Sequence, residues 1–217
     1  FALKLPPKTP EIADAAADWP SLIRTATIEA EVRRKIEALG KALKSTAPER
    51  MAPAIAAQLA ALFRVIDQTD GKLPWKDKAA QVWDTLAKNL PPGSGWDEAR
   101  RQQLAALYED LQQLVKNDRW PKAAPAAERS WNQIAPRSAI MRRLAEAHDE
   151  HLIVWARREE IPAAARDELR HEAEVLATLA GVIQAKSYEY SDDPDYLLSA
   201  QALQRHAQGI AAAAAKN

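Results

Sequence analysis

Apolar residues along this chain recur at intervals of three and four, the spacing that lines one face of an α-helix. Ile28, Val32, Ile36, Leu39 and Leu43 form the first stripe. Ala47-Pro48 breaks it, because proline lacks an N–H and constrains its predecessor. Met51, Ile55, Leu59, Leu62 and Ile66 form the second, closed by Thr69-Asp70-Gly71. A third helix is predicted from about Trp75 through Val82, Leu86 and Leu90 to Pro91-Pro92-Gly93. Leu104, Leu107, Leu111 and Leu114 mark a fourth between Asp97 and Asn117. Further on, Met141, Leu144, His148, Leu152 and Trp155 share a stripe that ends near Pro162, and Leu169, Leu176, Leu179 and Ile183 share another. A polar, Tyr-rich turn spans Ser187 to Asp192. Asp193-Pro194 then sets an N-cap acceptor before a proline at the first helical position, and the last helix continues through Leu197, Leu203 and Ile210.

One helical phrase occurs twice. Leu59-Ala60-Ala61-Leu62-Phe63-Arg64-Val65-Ile66 returns as Leu176-Ala177-Thr178-Leu179-Ala180-Gly181-Val182-Ile183, each copy opening a helical hairpin. Self-similarity of this kind points to duplication of one structural unit. The predicted fold is therefore all-α, with two tandem antiparallel up-and-down bundles. A Pro-rich arm, which its four prolines keep from forming a helix, occupies residues 1–20, a four-helix bundle 21–117, a Pro/Trp linker 118–137 and a three-helix bundle 138–217. The linker carries Pro121, Pro125, Pro136, Trp120 and Trp131. Its indoles are expected to dock on a bundle surface, since exposing them would leave large apolar area in water.

Composition narrows the picture. The chain has 217 residues, 47% of them hydrophobic, with only 6 Gly, enough to bury cores of about 100 residues each. Thirty basic residues balance 30 acidic ones, which offers no electrostatic footprint for nucleic acid or for an anionic membrane surface. No apolar run approaches the roughly 18–20 residues of a membrane span. The opening Phe1-Ala2-Leu3-Lys4 fits a mature exported protein, periplasmic or extracellular, from which a signal peptide has been removed. There is no cysteine, so neither a disulfide nor a Cys-type zinc site is available.

Candidate chemistry is sparse. His148-Asp149-Glu150-His151 has the look of a metal motif, with His171 approaching from the next helix and Glu168 one turn before it. Di-iron bundles need two Glu-x-x-His motifs, and Glu168 to His171 is the one present; His-Glu-x-x-His is absent. No metal is expected. On its stripe His148 is predicted to face the interior, and His151 and His171 to be solvated. Gly93-Ser94-Gly95 lies between helices and reads as a turn. Carboxylates interleaved with Lys and Arg read as solvated helix faces, and no nucleophile elbow occurs. Of the 7 Trp, Trp83 and Trp155 fall on apolar stripes and are expected in the core. Trp19, Trp75, Trp96, Trp120 and Trp131 stand at helix starts and joints.

The helix with Met141 and His148, the long helix ending in Val182-Ile183, the turn into Asp193-Pro194-Asp195 and the closing alanine-rich helix together resemble the cytochrome c′-like, class II c-type, four-helix bundles. That resemblance implies a haem c held by Cys-x-x-Cys-His on a fourth helix, with Met141 and His148 near it only if a haem is present. The second bundle here shows three helices and the chain lacks that motif. The expected function is thus a non-enzymatic binding or assembly module without haem, with a protein partner or self-association through residues 138–217. The alternative is an electron-transfer or gas-binding cytochrome whose haem helix lies on a further C-terminal segment. Three helices drawn from a four-helix pattern should also leave an apolar groove along Leu144, Leu152, Leu176, Leu179, Leu203 and Ile210, to be covered by the arm, the first bundle, a second copy, a further segment or a partner; the alternative is that the three helices close on themselves through small alanine contacts.

Overall fold

Helix formers spaced at three and four produce an all-helical protein: no strand occurs among the described residues, which in this computed structural model are 18–89, 95–121, 126–158 and 161–216. The helices are α1 (Trp19–Leu22), α2 (Thr25–Leu43), α3 (Ala52–Gln68), α4 (Lys76–Asn89), α5 (Glu98–Asn117), α6 (Trp131–Ile134), α7 (Arg137–Glu146), α8 (Ile153–Ala156), α9 (Ala163–Val182) and α10 (Pro194–Ala214). A 3₁₀ turn at Pro48–Arg50 precedes α3, and a π-helical stretch, Ala147–Leu152, joins α7 to α8. Most of the Pro-rich arm, the Pro91-Pro92-Gly93 stop and part of the linker lie outside the described residues.

Local chemistry sets the helix ends. The Asp97 carboxylate accepts from the N–H of Arg100 and caps α5. Asp193 accepts from the N–H groups of Asp195 and Tyr196 and caps α10, with Pro194 leading the helix as its sequence requires. Asp118 ends α5 in the left-handed region, at φ 52°, a conformation Asp reaches more easily than most residues because its short side chain bonds locally. One expectation needs correction. The prolines at 1–20 were expected to deny a helix, yet Pro20 sits in the first turn of α1, where its missing N–H has no intrahelical partner to lose.

Two helices form the centre. Residues 59–66 of α3 and 176–183, at the end of α9, are buried in the same order, with the sixth position half-exposed in each, Arg64 in one and Gly181 in the other. α3 packs against α2, α4 and α7, while α9 packs against α10, α2, α7 and the π-helical stretch. The apolar core runs without a break from Ile28, Leu59 and Phe63 to Ile140, Leu176 and Val182. The predicted boundaries at 117 and 138 therefore do not coincide with a gap in the core. Small residues permit the closest approaches: a Cβ on Gly40 of α2 would stand 2.5 Å from the Tyr108 hydroxyl of α5.

The joint between the halves is ordered where it is described. Trp131 meets Trp19 edge to face at 6.0 Å. The buried Tyr188 hydroxyl donates to Ala135 O at 2.8 Å, and burial pushes its phenol above the usual tyrosine range. Gln58 of α3 donates its amide to Ala139 O of α7 at 2.9 Å. No helix among the described residues is long and apolar enough to cross a membrane.

Candidate functional site

The chemistry of this molecule gathers around the π-helical stretch. An α-helical spacing would carry the buried stripe from Leu144 to His148. The π turn closes i→i+5 and adds a residue: the N–H of Ile153 donates to His148 O, five residues back. The buried positions accordingly run Ile140, Arg143, Leu144, Ala147, then Leu152. His148, predicted to face the interior, is instead exposed, its side chain 54% accessible, with Nδ1 2.6 Å from Asp149. Met141 on the same predicted stripe is 39% exposed, and Trp155 is half-buried rather than in the core.

His171 departs in the opposite direction. Predicted to be solvated, it is buried, with Nε2 2.9 Å from Glu31 Oε2. Glu31 also accepts from Arg143 Nε at 2.7 Å, and Lys35 Nζ stands 3.9 Å away. Burial by itself would raise this carboxyl; the His171 hydrogen bond and the Arg143 guanidinium outweigh it and hold Glu31 well below the usual carboxylate range. A carboxylate that stays ionised accepts, so the bonding proton belongs to His171 Nε2. Arg143 passes a second bond from Nη2 to Glu172 at 2.7 Å, and Glu172 is bonded on its other oxygen by Arg34. Burial opposes the charge of Arg143, and the attraction of Glu31 and Glu172 drives it the other way, above the usual range. Lys35 is lowered, first by burial and then by the nearby Arg143, against the pull of Glu31 and Glu146.

This cluster links α2, α7 and α9 through groups that are almost all paired. Arg143 Nη1 and, on neighbouring α3, Gln58 Oε1 lack a partner. Glu174, lower on α9, is held by Thr27, Arg24 and Arg170. His151, Glu168 and Glu172 bring ligand-type atoms within 4.8 Å of one another. The Arg34 guanidinium already bridges the two carboxylates, which supplies the neutralising charge a cation would bring. Its buried charges, Glu31, Arg143 and Glu172, are bonded to one another and to His171 and Arg34. Its arrangement is that of an electrostatic clamp.

Beside it lies a different kind of concavity. Leu152, Ile153 and Trp155 from the π-helical stretch and α8, Ile161, Leu169 and Leu176, and Leu203, Ala207 and Ile210 of α10 enclose a groove of about 390 Å³. His148 and His206 supply the polar groups of its lining. The predicted groove thus exists in reduced form. Leu144 and Leu179 are buried, with α3 packed on α7 and α2 on α9, while Leu203 and Ile210 remain half-exposed. The periodicity of α9 and α10 foretold the apolar wall. His206 had no signal in the sequence, and only the pairing of α9 with α10 brings it to the groove.

No family model, curated protein or solved structure matches the chain. Without cysteine, no residue here can form a thioether to haem, so the residues present do not fit a covalently held group.

Proposed function

We propose that this is a non-enzymatic helical binding module, exported from the cytoplasm, that takes its ligand in the groove between α8, α9 and α10. The supporting observation is the contrast between two sites. The ion cluster has its charges paired internally, whereas the groove presents leucine, isoleucine and tryptophan faces to solvent with few polar groups, the usual make-up of a ligand site. The matched burial of residues 59–66 and 176–183 supports descent of the two halves from one duplicated bundle unit. A neutral solvatochromic dye such as Nile red tests the groove. Its fluorescence is expected to rise with the wild-type chain and to fall several-fold with Ile210→Glu at unchanged helical circular dichroism; equal signals from both would overturn the reading. A protein partner or a second copy on this face would appear as a concentration-dependent mass in sedimentation equilibrium.

One observation favours the cytochrome alternative: a groove among three helices is where a fourth would close a c′-like bundle. A haem on such a helix would give a Soret band and additional mass in protein from its native source. Native protein without either leaves the binding module.

A further inference from the structure

Building on the groove as a ligand site, we infer that its ligand is a small apolar molecule ending in a carboxyl group, in the class of medium-chain fatty acids. The groove, about 390 Å³, lies at the low end of the roughly 300–1,000 Å³ of small-molecule sites, which suits a small ligand better than a docked helix with its row of anchors. The walls choose the body of the ligand: Leu152, Trp155, Ile161, Leu176, Leu203 and Ile210 offer contact and no hydrogen bonds.

Charge chooses the head. Among the described residues no carboxylate lines the groove, and the Asp149 carboxylate beside it is already bonded to the His148 ring, so an ammonium head would lose its hydration without finding a free counter-ion. The polar lining comes from the His148 and His206 rings, and the Arg158 guanidinium lies 4.5 Å from the centroid of the Trp155 ring that forms one wall. With Asp149 ionised, His148 Nδ1–H donates to its carboxylate, 2.6 Å away, and Nε2 is the ring nitrogen left outside that bond. A fatty acid entering in its acid form can pass its proton to that nitrogen, and a carboxylate enters with a proton drawn from solvent onto the ring; either way the result is a carboxylate hydrogen-bonded to an imidazolium. Hydrogen bonds of this charged type are about twice as strong as neutral ones.

The test uses the full chain with methyl-labelled Leu and Ile, titrated separately with decanoate, decanol and decyltrimethylammonium. Decanoate is expected to shift the methyl resonances of Leu203 and Ile210 and to bind roughly tenfold more tightly than decanol, with the ammonium compound weakest, in line with the added strength of charge-assisted bonds. The double variant His148→Gln, His206→Gln, at exposed positions, should bring decanoate down to decanol's affinity and leave decanol unchanged. Leu203→Trp, which fills the groove, should abolish binding of all three. Equal binding of decanoate and decanol to the wild type, or a preference for the ammonium compound, overturns the carboxyl assignment and leaves the groove as a site. Absence of shifts at Leu203 and Ile210 with every probe, or binding that survives Leu203→Trp, overturns the groove itself.

Discussion

At the scale of single residues, Glu31 carries the largest consequence. It is fully buried and shared among His171, Arg143 and Lys35. Removing one partner from such a set leaves the remaining charges buried without compensation, at a cost of about 3–5 kcal/mol. Glu31→Gln is therefore expected to lower the free energy of urea unfolding by about that amount, with Arg143 left to Glu172 alone and the buried cluster one negative charge short. The same residue sets a pH dependence. Its carboxyl in the folded protein lies below the ordinary 4.5, so the unfolded chain binds the proton first. The stabilisation is complete above that ordinary value and is lost progressively as pH falls below it. Glu174, lowered by Thr27 and Arg24 against the effect of burial, acts with the same sign. Urea midpoints measured from pH 6 to pH 3 should fall steeply for the wild type and less steeply for Glu31→Gln. Parallel slopes would show that Glu31 does not carry the acid dependence.

At the scale of elements, capping was the most legible feature. Asp193 was recognisable from sequence because a carboxylate acceptor before a helical run satisfies N–H groups that have no intrahelical partner, and Asp97, read there only as the start of its helix, caps α5 in the same way. Asp193→Ala should cost about 1 kcal/mol by unfolding free energy and leave the groove ligand's affinity little changed, since the cap lies at the far end of α10 from Ile210. The π-helical stretch was illegible. Its extra residue follows no side-chain pattern, because His148, Asp149, Glu150 and His151 suit an α turn as well as a π turn. The insertion is decided by what packs on both sides of it. Ala147 must meet the core and Leu152 must reach α9, and five residues rather than four separate those contacts. Every error about the histidines beyond that point follows from this one added residue or from a partner on another helix.

For the molecule as a whole, the continuous core and the ion pairs across it make one cooperative structure of the described residues. Arg143 to Glu31, Arg34 to Glu172 and Arg24 to Glu174 all join helices of the first half to helices of the second. Thermal unfolding followed by far-ultraviolet circular dichroism and by tryptophan fluorescence is expected to give coincident single transitions, the signature of two-state behaviour. Two resolved transitions would mean that the halves unfold separately despite the shared core.

The sequence by itself determined the long helices, the Asp193 cap and every apolar stripe that no π turn interrupts, because these depend on neighbours three and four residues away. It also foretold the groove wall, since α9 and α10 carry more apolar positions than three helices can cover. Tertiary structure decided which polar groups go inside. Glu31 and Lys35, four apart on α2, look in sequence like the opposite-charge pair of a solvated face, and Glu168 and Glu172, four apart on α9, like two carboxylates turned to water. They are drawn into one cluster because α2 is enclosed by α3 and α5 on one side and α9 on another, which widens its buried arc beyond the apolar stripe. A charge can enter that arc only with its opposite already there. The opposite charge arrives from more than a hundred residues along the chain, at a distance no local pattern encodes.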